Sequence, residues 1–213
     1  MPGTIPNPVR LFRITHRDNL AHILQYGICN KNHRDANLDF VPIGSNDIIR
    51  RRVEHLVKIP GYGNIGDYVP FYYSPLSVML YNILTGYGVP RIAPNLIVCI
   101  VTSVDVLVGC GNRYFFTNGQ ANTYITNHYI ELADLAEVDW SVVRSGDFTK
   151  SNTDPDRLRR YQAEFLVHSY VPVNCIEAIV VYNESCSTFV KTELNKAGST
   201  IPVHVSRKYY FNR

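Results

Sequence analysis

The chain has 213 residues, 46% of them hydrophobic and 18% charged, with a formal net charge of +3. That length suits one domain, and that balance excludes a disordered chain. So small a positive excess does not announce nucleic acid. The five cysteines, odd in number and without CxxC spacing, suggest neither a disulfide framework nor a zinc site.

The N-terminus, MPGTIPNPVRLFRITH, lacks the apolar core of a signal peptide. The longest apolar run, LIVCIVTSVDVLVG, is too short and interrupted to cross a bilayer, so a cytosolic protein without membrane contact is expected. VRLFRITH reads as a first strand ending near His16. RDNLAHILQYGI follows as a short helix capped by Asp18, with Leu20, Ile23 and Leu24 on one face and Gly27 as its stop. DIIRRRVEHLVKI holds a second short helix, and PGYGNIGDY is a glycine-rich turn. YVPFYYS is the next strand, with Val69, Phe71 and Tyr73 on one side and Pro70 and Tyr72 on the other. Pro75 begins a helix that Gly86 ends. PNLIVCIVTS is a near-continuous apolar run and so a central strand.

A turn at 109–111 leads to a strand over 114–117 and then an Asn/Gly loop. LADLAEVDWSVVRSGDF reads as helical in its first half, and DPDRLRRYQA as a charged loop or helix. A strand opens at Glu164, CIEAIVVYN is another, STFVKTELNKAG is a helix with Gly198 after it, and TIPVHVS closes the sheet. Cys99 and Cys175 lie in apolar runs and read as small core residues. Strands and helices are interspersed without strict βαβα alternation. That predicts an α+β fold, one domain over 1–213, with a mostly antiparallel or mixed sheet split into two layers.

Five places could carry chemistry. Glu164 opens a core strand, and a buried carboxylate is costly unless paired or used; it is either an exposed strand end bridged to Arg160 or a working group. His16 ends a strand and faces either a cleft or the core. The aromatic side of YVPFYYS lines a flat pocket or simply packs. Arg50, Arg51 and Arg52 clamp phosphates or form a solvated face. YFFTNGQANTYITNH offers stacking faces and amide forks of the kind that hold unpaired bases, or is an ordinary loop. There is no GxSxG, Walker A, GxGxxG or zinc-deaminase signature, and no HxxxH or HExxH pair for a metal.

Taken in order, ITHRDNLAHILQYGI, IRRRVEHLV, GDYVPFYYSPLSVMLY, FFTNGQANT and YQAEFLVHSYVP resemble the DarT family, toxins of bacterial DarT–DarG toxin–antitoxin systems. The resemblance implies an ADP-ribosyltransferase fold and NAD as co-substrate, with no metal. It implies transfer of ADP-ribose to a base, thymidine above all, of single-stranded DNA within a short sequence motif. It also implies a separate macrodomain antitoxin of the DarG type; independently, a small basic domain without a dimer signature is expected to be monomeric when free.

By the same resemblance, Glu164 is the catalytic glutamate, and the catalytic arginine falls at Arg52 or, failing that, Arg51. His16 holds the nicotinamide-side ribose, within a cofactor set of Thr15, Asn19, Leu20, Gly27, Arg51, Phe71, Tyr73 and Met79. Asn118, Asn122, Tyr124, His128, Arg157 and Arg160 face the DNA. Rival readings keep the fold but modify guanosine in DNA or modify RNA, hydrolyse NAD, or bind single-stranded DNA without catalysis.

Overall fold

The computed structural model describes residues 3–150 and 152–211. Ten strands form in chain order: β1 (Arg10–His16), β2 (Ile28–Cys29), β3 (Tyr68–Tyr72), β4 (Ile97–Ser103), β5 (Tyr114–Thr117), β6 (His128–Tyr129), β7 (Glu164–His168), β8 (Tyr170–Val171), β9 (Ala178–Val181) and β10 (Val203–Val205). Seven α-helices lie between them: α1 (Leu20–Tyr26), α2 (Asn46–Glu54), α3 (Val78–Thr85), α4 (Val104–Gly109), α5 (Trp140–Ser145), α6 (Arg157–Tyr161) and α7 (Glu184–Lys196). Eight strands make one sheet in the order β10-β9-β4-β1-β3-β7-β5-β6, and β2 pairs with β8 apart from it. Every pairing is antiparallel except β9 with β10.

The expected split exists, but as a pinch within one sheet. β1 pairs with β4 along all of Arg10–His16, whereas β1 and β3 share the single register pair Phe12↔Tyr72. Beyond that pair the strands part, and the Arg13 guanidinium crosses the gap to donate from Nη1 to the Pro70 carbonyl at 3.0 Å.

Apolar side chains cover both faces. On one, Leu11, Val69, Phe71, Phe165 and Val167 pack with Leu20 and Ile23 of α1, Val143 of α5 and Val190 of α7. On the other, two smaller clusters stand apart: Phe12, Ile14 and Cys99 with Leu80 and Ile83 of α3, and Tyr68, Phe115 and Leu166 with Val57, Ile65 and Ala121. The space between these two clusters lies over the pinch.

Several local expectations need correcting. The turn before α1 is capped by His16, whose Nδ1 accepts from the Asp18 N–H at 3.3 Å, and not by Asp18. α3 starts after Ser77, whose Oγ accepts from the Leu80 N–H at 3.1 Å, so Pro75 lies ahead of the helix. Leu132–Glu137 forms a 3-10 stretch, and the α-helix begins only at Trp140, where the Asp139 carboxylate accepts from the Val142 N–H. Cys110 and Cys175 form a disulfide with Cα atoms 7.0 Å apart. Residue spacing could not show this, because the fold brings the end of α4 to a turn 65 positions away.

Candidate active site

Glu164 stands at the first position of β7, only 2% exposed, opposite Tyr72 in the ladder. A carboxylate this deep requires partners. Its Oε2 accepts from Arg52 Nη1 at 2.9 Å and its Oε1 from the Ala121 N–H at 3.1 Å. Its own N–H donates to Thr117 Oγ1 at 3.1 Å, which anchors the strand end to β5.

Arg52 comes from α2. Successive helical residues turn by about 100°, so the three arginines cannot face the same way. Arg50 and Arg51 are exposed, and Arg50 lies 3.5 Å from Asp47, while Arg52 turns inward to Glu164. Arg51, expected as a second catalytic candidate and a cofactor residue, therefore reaches neither Glu164 nor the cavity wall. The buried Arg52 Nη2 has no hydrogen-bond partner among the described residues.

A cavity of about 340 Å³ opens between α2 and α3 over the sheet pinch, with Arg13, Arg52, Tyr72, Met79, Gln120 and Glu164 among its lining residues. Arg13 brings a second guanidinium. Burial, against the opposing influence of Tyr72 and helped by the charge of Arg52, lowers its pKa to about 10, and its Nε is buried without a hydrogen-bond partner among the described residues. Two arginines thus line one cavity, and of the two Arg52 pairs with Glu164. Tyr72 completes the wall, and its hydroxyl lies 3.7 Å from Met79 Sδ. Burial, and then the Glu164 charge, push the Tyr72 hydroxyl above its ordinary range, so it remains a protonated donor.

The expected cofactor residues divide. Met79 lines the cavity. Thr15, Asn19 and Gly27 line a small annex of about 20 Å³ that shares Arg13 and Phe40 with the main cavity. Asn19 also pins one wall by bonding the Val41 N–H and carbonyl at 2.8 and 2.9 Å. Gly27 sits at φ +83°, where a Cβ would collide with the Val171 carbonyl. Leu20, Phe71 and Tyr73 do not reach the cavity: all three are core residues, and Tyr73 packs edge-on against Trp140. The apolar side of β3 serves the core, so the rings that β3 brings to the cavity are Tyr68 and Tyr72, of which Tyr72 lies opposite Glu164. His16 lines neither cavity, because its buried ring is turned to cap the following turn.

The expected DNA-facing residues divide as well. Tyr124 is 88% exposed, with Lys58 Nζ 5.3 Å from its ring centroid. Asn122 Oδ1 is buried and unpartnered among the described residues. Asn118 is spent on its own loop, accepting from the Asn127 N–H at 3.0 Å. His128 is likewise engaged, with Nδ1 accepting from the Lys58 N–H and Nε2 facing the Ala121 carbonyl, each at 3.0 Å. Arg157 pairs with Asp147 and Asp154, and Arg160 with Asp139 and Asp154. Neither arginine is a free cation, and Arg160 does not reach Glu164. Arg13, Tyr72 and the Ala121 amide were not anticipated as site groups, although strand alternation placed Tyr72 opposite the apolar side of β3; Gln120 lies in the amide-rich loop that the sequence singled out, but it lines the cavity. Among the described residues no group of three His, Cys, Asp or Glu could hold a metal ion, and no helix is long and apolar enough to cross a membrane.

The fold that carries this buried carboxylate–guanidinium pair is shared with solved enzymes that transfer ADP-ribose to DNA. The chain superposes on "Thermus sp. 2.9 DarT in complex with ADP-ribosylated ssDNA" with a TM-score of 0.91 and 27% identity, covering 99% of this chain and 100% of that one. On the same enzyme "in complex with NAD+" the TM-score is 0.85 at 26% identity, with 98% and 100% covered. A "DNA ADP-ribosyl transferase" of Escherichia coli O127:H6 is 32% identical over 208 residues, 97% of this chain and 95% of that protein. The family model described as "ssDNA thymidine ADP-ribosyltransferase, DarT" matches residues 12–211. The chain belongs to the DarT family.

Proposed function

We propose that this chain attaches ADP-ribose from NAD to a thymine of single-stranded DNA, with Glu164 and Arg52 acting on the reacting atoms. The observation that supports this above the others is the 2.9 Å contact between these two side chains inside the cavity. Departure of nicotinamide breaks the C1′–N bond and leaves positive charge on the ribose. The Glu164 carboxylate stabilises that charge and accepts hydrogen bonds from the ribose hydroxyls. Attack by the thymine imide nitrogen from the opposite face inverts the anomeric carbon. The imide proton must leave as the new bond forms, and Glu164 is the base within reach. Arg52, through its spare N–H, stabilises negative charge on the adjacent thymine oxygen.

Tyr72 and Met79 form the wall for the nicotinamide. Arg13 and the annex lined by Thr15, Asn19 and Gly27 extend the dinucleotide site. Tyr124 offers a stacking face to a base next to the target. A base inside a duplex is stacked and paired, so a single strand suits this site. The family resemblance extends the reading to a toxin that acts in the bacterial cytoplasm and is countered by a macrodomain antitoxin, and a small basic domain without a dimer signature suits a chain that is monomeric when free. It also supports one domain over the whole chain.

The test is mass analysis of a mixed-sequence single-stranded oligonucleotide incubated with NAD. The expected result is a gain of one ADP-ribose on thymine, lost with Glu164→Gln. Gain on guanine or on RNA would move the acceptor and keep the catalytic pair. Hydrolysis alone would remove the acceptor, and no NAD consumption would overturn the enzyme reading.

A further inference from the structure

We propose that His128 is a positioning residue that ties the segment carrying Arg52 to the carboxylate of Glu164, an inference that rests on the roles given above to those two side chains. Lys58 follows Arg52 by six residues. Its backbone N–H donates to His128 Nδ1 at 3.0 Å. A ring that accepts at Nδ1 and is uncharged carries its proton on Nε2. That N–H therefore donates to the Ala121 carbonyl, 3.0 Å away. The N–H of the same residue, Ala121, donates to Glu164 Oε1 at 3.1 Å. One imidazole thus joins the exit of α2 to the residue whose N–H holds the catalytic carboxylate.

The surroundings suit a fixed strut. The ring lies over Phe115, with centroids 5.1 Å apart and planes at 28°. Ala121 is fully buried in the cluster that also contains Val57 and Phe115. Lys58 adds a second tie, its Nζ donating to the Thr126 carbonyl at 2.7 Å and to that of Tyr124. Arg159 secures the other side of the loop through Thr126 Oγ1 at 3.1 Å, and its guanidinium lies where a Cβ on Gly119 would stand. With the loop held from both sides, the Ala121 N–H has one place to point.

His128→Phe keeps the ring on Phe115 and removes both nitrogens. The expected result is a kcat for nicotinamide release lower by about 10- to 100-fold, with KM for NAD and for DNA changed by less than about threefold. His128→Gln retains a donor for the Ala121 carbonyl, whereas His128→Asn retains only an acceptor for Lys58, so Gln restores more kcat than Asn. The amide proton of Ala121, followed by NMR, moves upfield and exchanges faster in His128→Phe than in the native protein. A folded His128→Phe with kcat within about twofold of native overturns the proposal, and so does a loss confined to KM for DNA. If His128→Phe does not fold, the order of the Gln and Asn variants decides, and Asn equal to or above Gln overturns it. If the native protein releases no nicotinamide at all, the reading of the enzyme fails, and the Ala121 amide alone still decides whether His128 holds that residue.

Discussion

The segment around Arg52 and the segment around Arg160 both set guanidinium groups against carboxylates, in opposite proportion. At α6, Arg157, Arg159 and Arg160 meet Asp139, Asp147, Asp154 and Asp156. Hydrogen bonding to Arg160 holds the Asp154 carboxyl below its usual range. Burial works against ionisation of Asp139, but hydrogen bonds from Ser141 and the Val142 N–H, together with the Arg160 charge, hold it low as well. At the pinch, among the described residues, Arg52 pairs with Glu164 while Arg13 meets only the Pro70 carbonyl, and one buried nitrogen of each guanidinium has no hydrogen-bond partner. Satisfied arginines brace a fold, while arginines short of acceptors await a ligand that brings them.

The contrast breaks first at the carboxylate. Glu164→Gln keeps the shape and the Ala121 hydrogen bond but loses the charge, so transfer should fall by about 10³-fold or more with little change in melting temperature. Retention of a tenth of native activity would remove Glu164 from the chemistry. Arg52→Lys should cost about 10²-fold in kcat, because a point charge cannot replace a planar fork. Arg52→Ala should in addition lower stability by about 3 kcal/mol in denaturant titration, since a buried carboxylate loses its ion pair.

Arg160→Ala should show the reverse profile: stability lower by about 1–2 kcal/mol, with activity per folded molecule within about twofold. The pH dependence has a definite sign. Asp139 and Asp154 are held below their ordinary 3.8, so their pairing stabilises the fold above that pH and the contribution disappears as pH falls below it. The stability gap between native and Arg160→Ala should therefore be full at neutral pH and close in strong acid. A gap that widens in acid would contradict the network. The smallest effect belongs to Arg51→Ala, an exposed change expected to stay within about 0.5 kcal/mol of native stability. A loss of transfer comparable to that of Arg52→Lys would reopen the choice within the triplet.

Much of the framework is legible in residue order. The apolar run of β4, the stop of α3 at Gly86 and the opening of β7 at Glu164 all follow from local pattern, because backbone preference and alternation act over a few residues. The pocket-facing ring was harder. Alternation separates Phe71 from Tyr72, but only the helices stacked on one face show that Phe71 belongs to the core. His128 was harder still, since its partners Lys58 and Ala121 lie 70 and 7 positions away.

What this sequence determined alone is the kind of protein: an α+β chain whose ordered motifs mark the DarT family and whose Glu164 breaks an otherwise apolar strand. What only the tertiary structure decided is which like residue stands at the cavity and which is paired elsewhere. It selected Arg52 from three neighbouring arginines because one direction on a helix meets a carboxylate 112 positions away. It withdrew Arg160 because Asp139, 21 positions away, had already neutralised it. Charge and hydrogen-bond complementarity depend on distance in space, and chain order does not record that distance for residues so far apart.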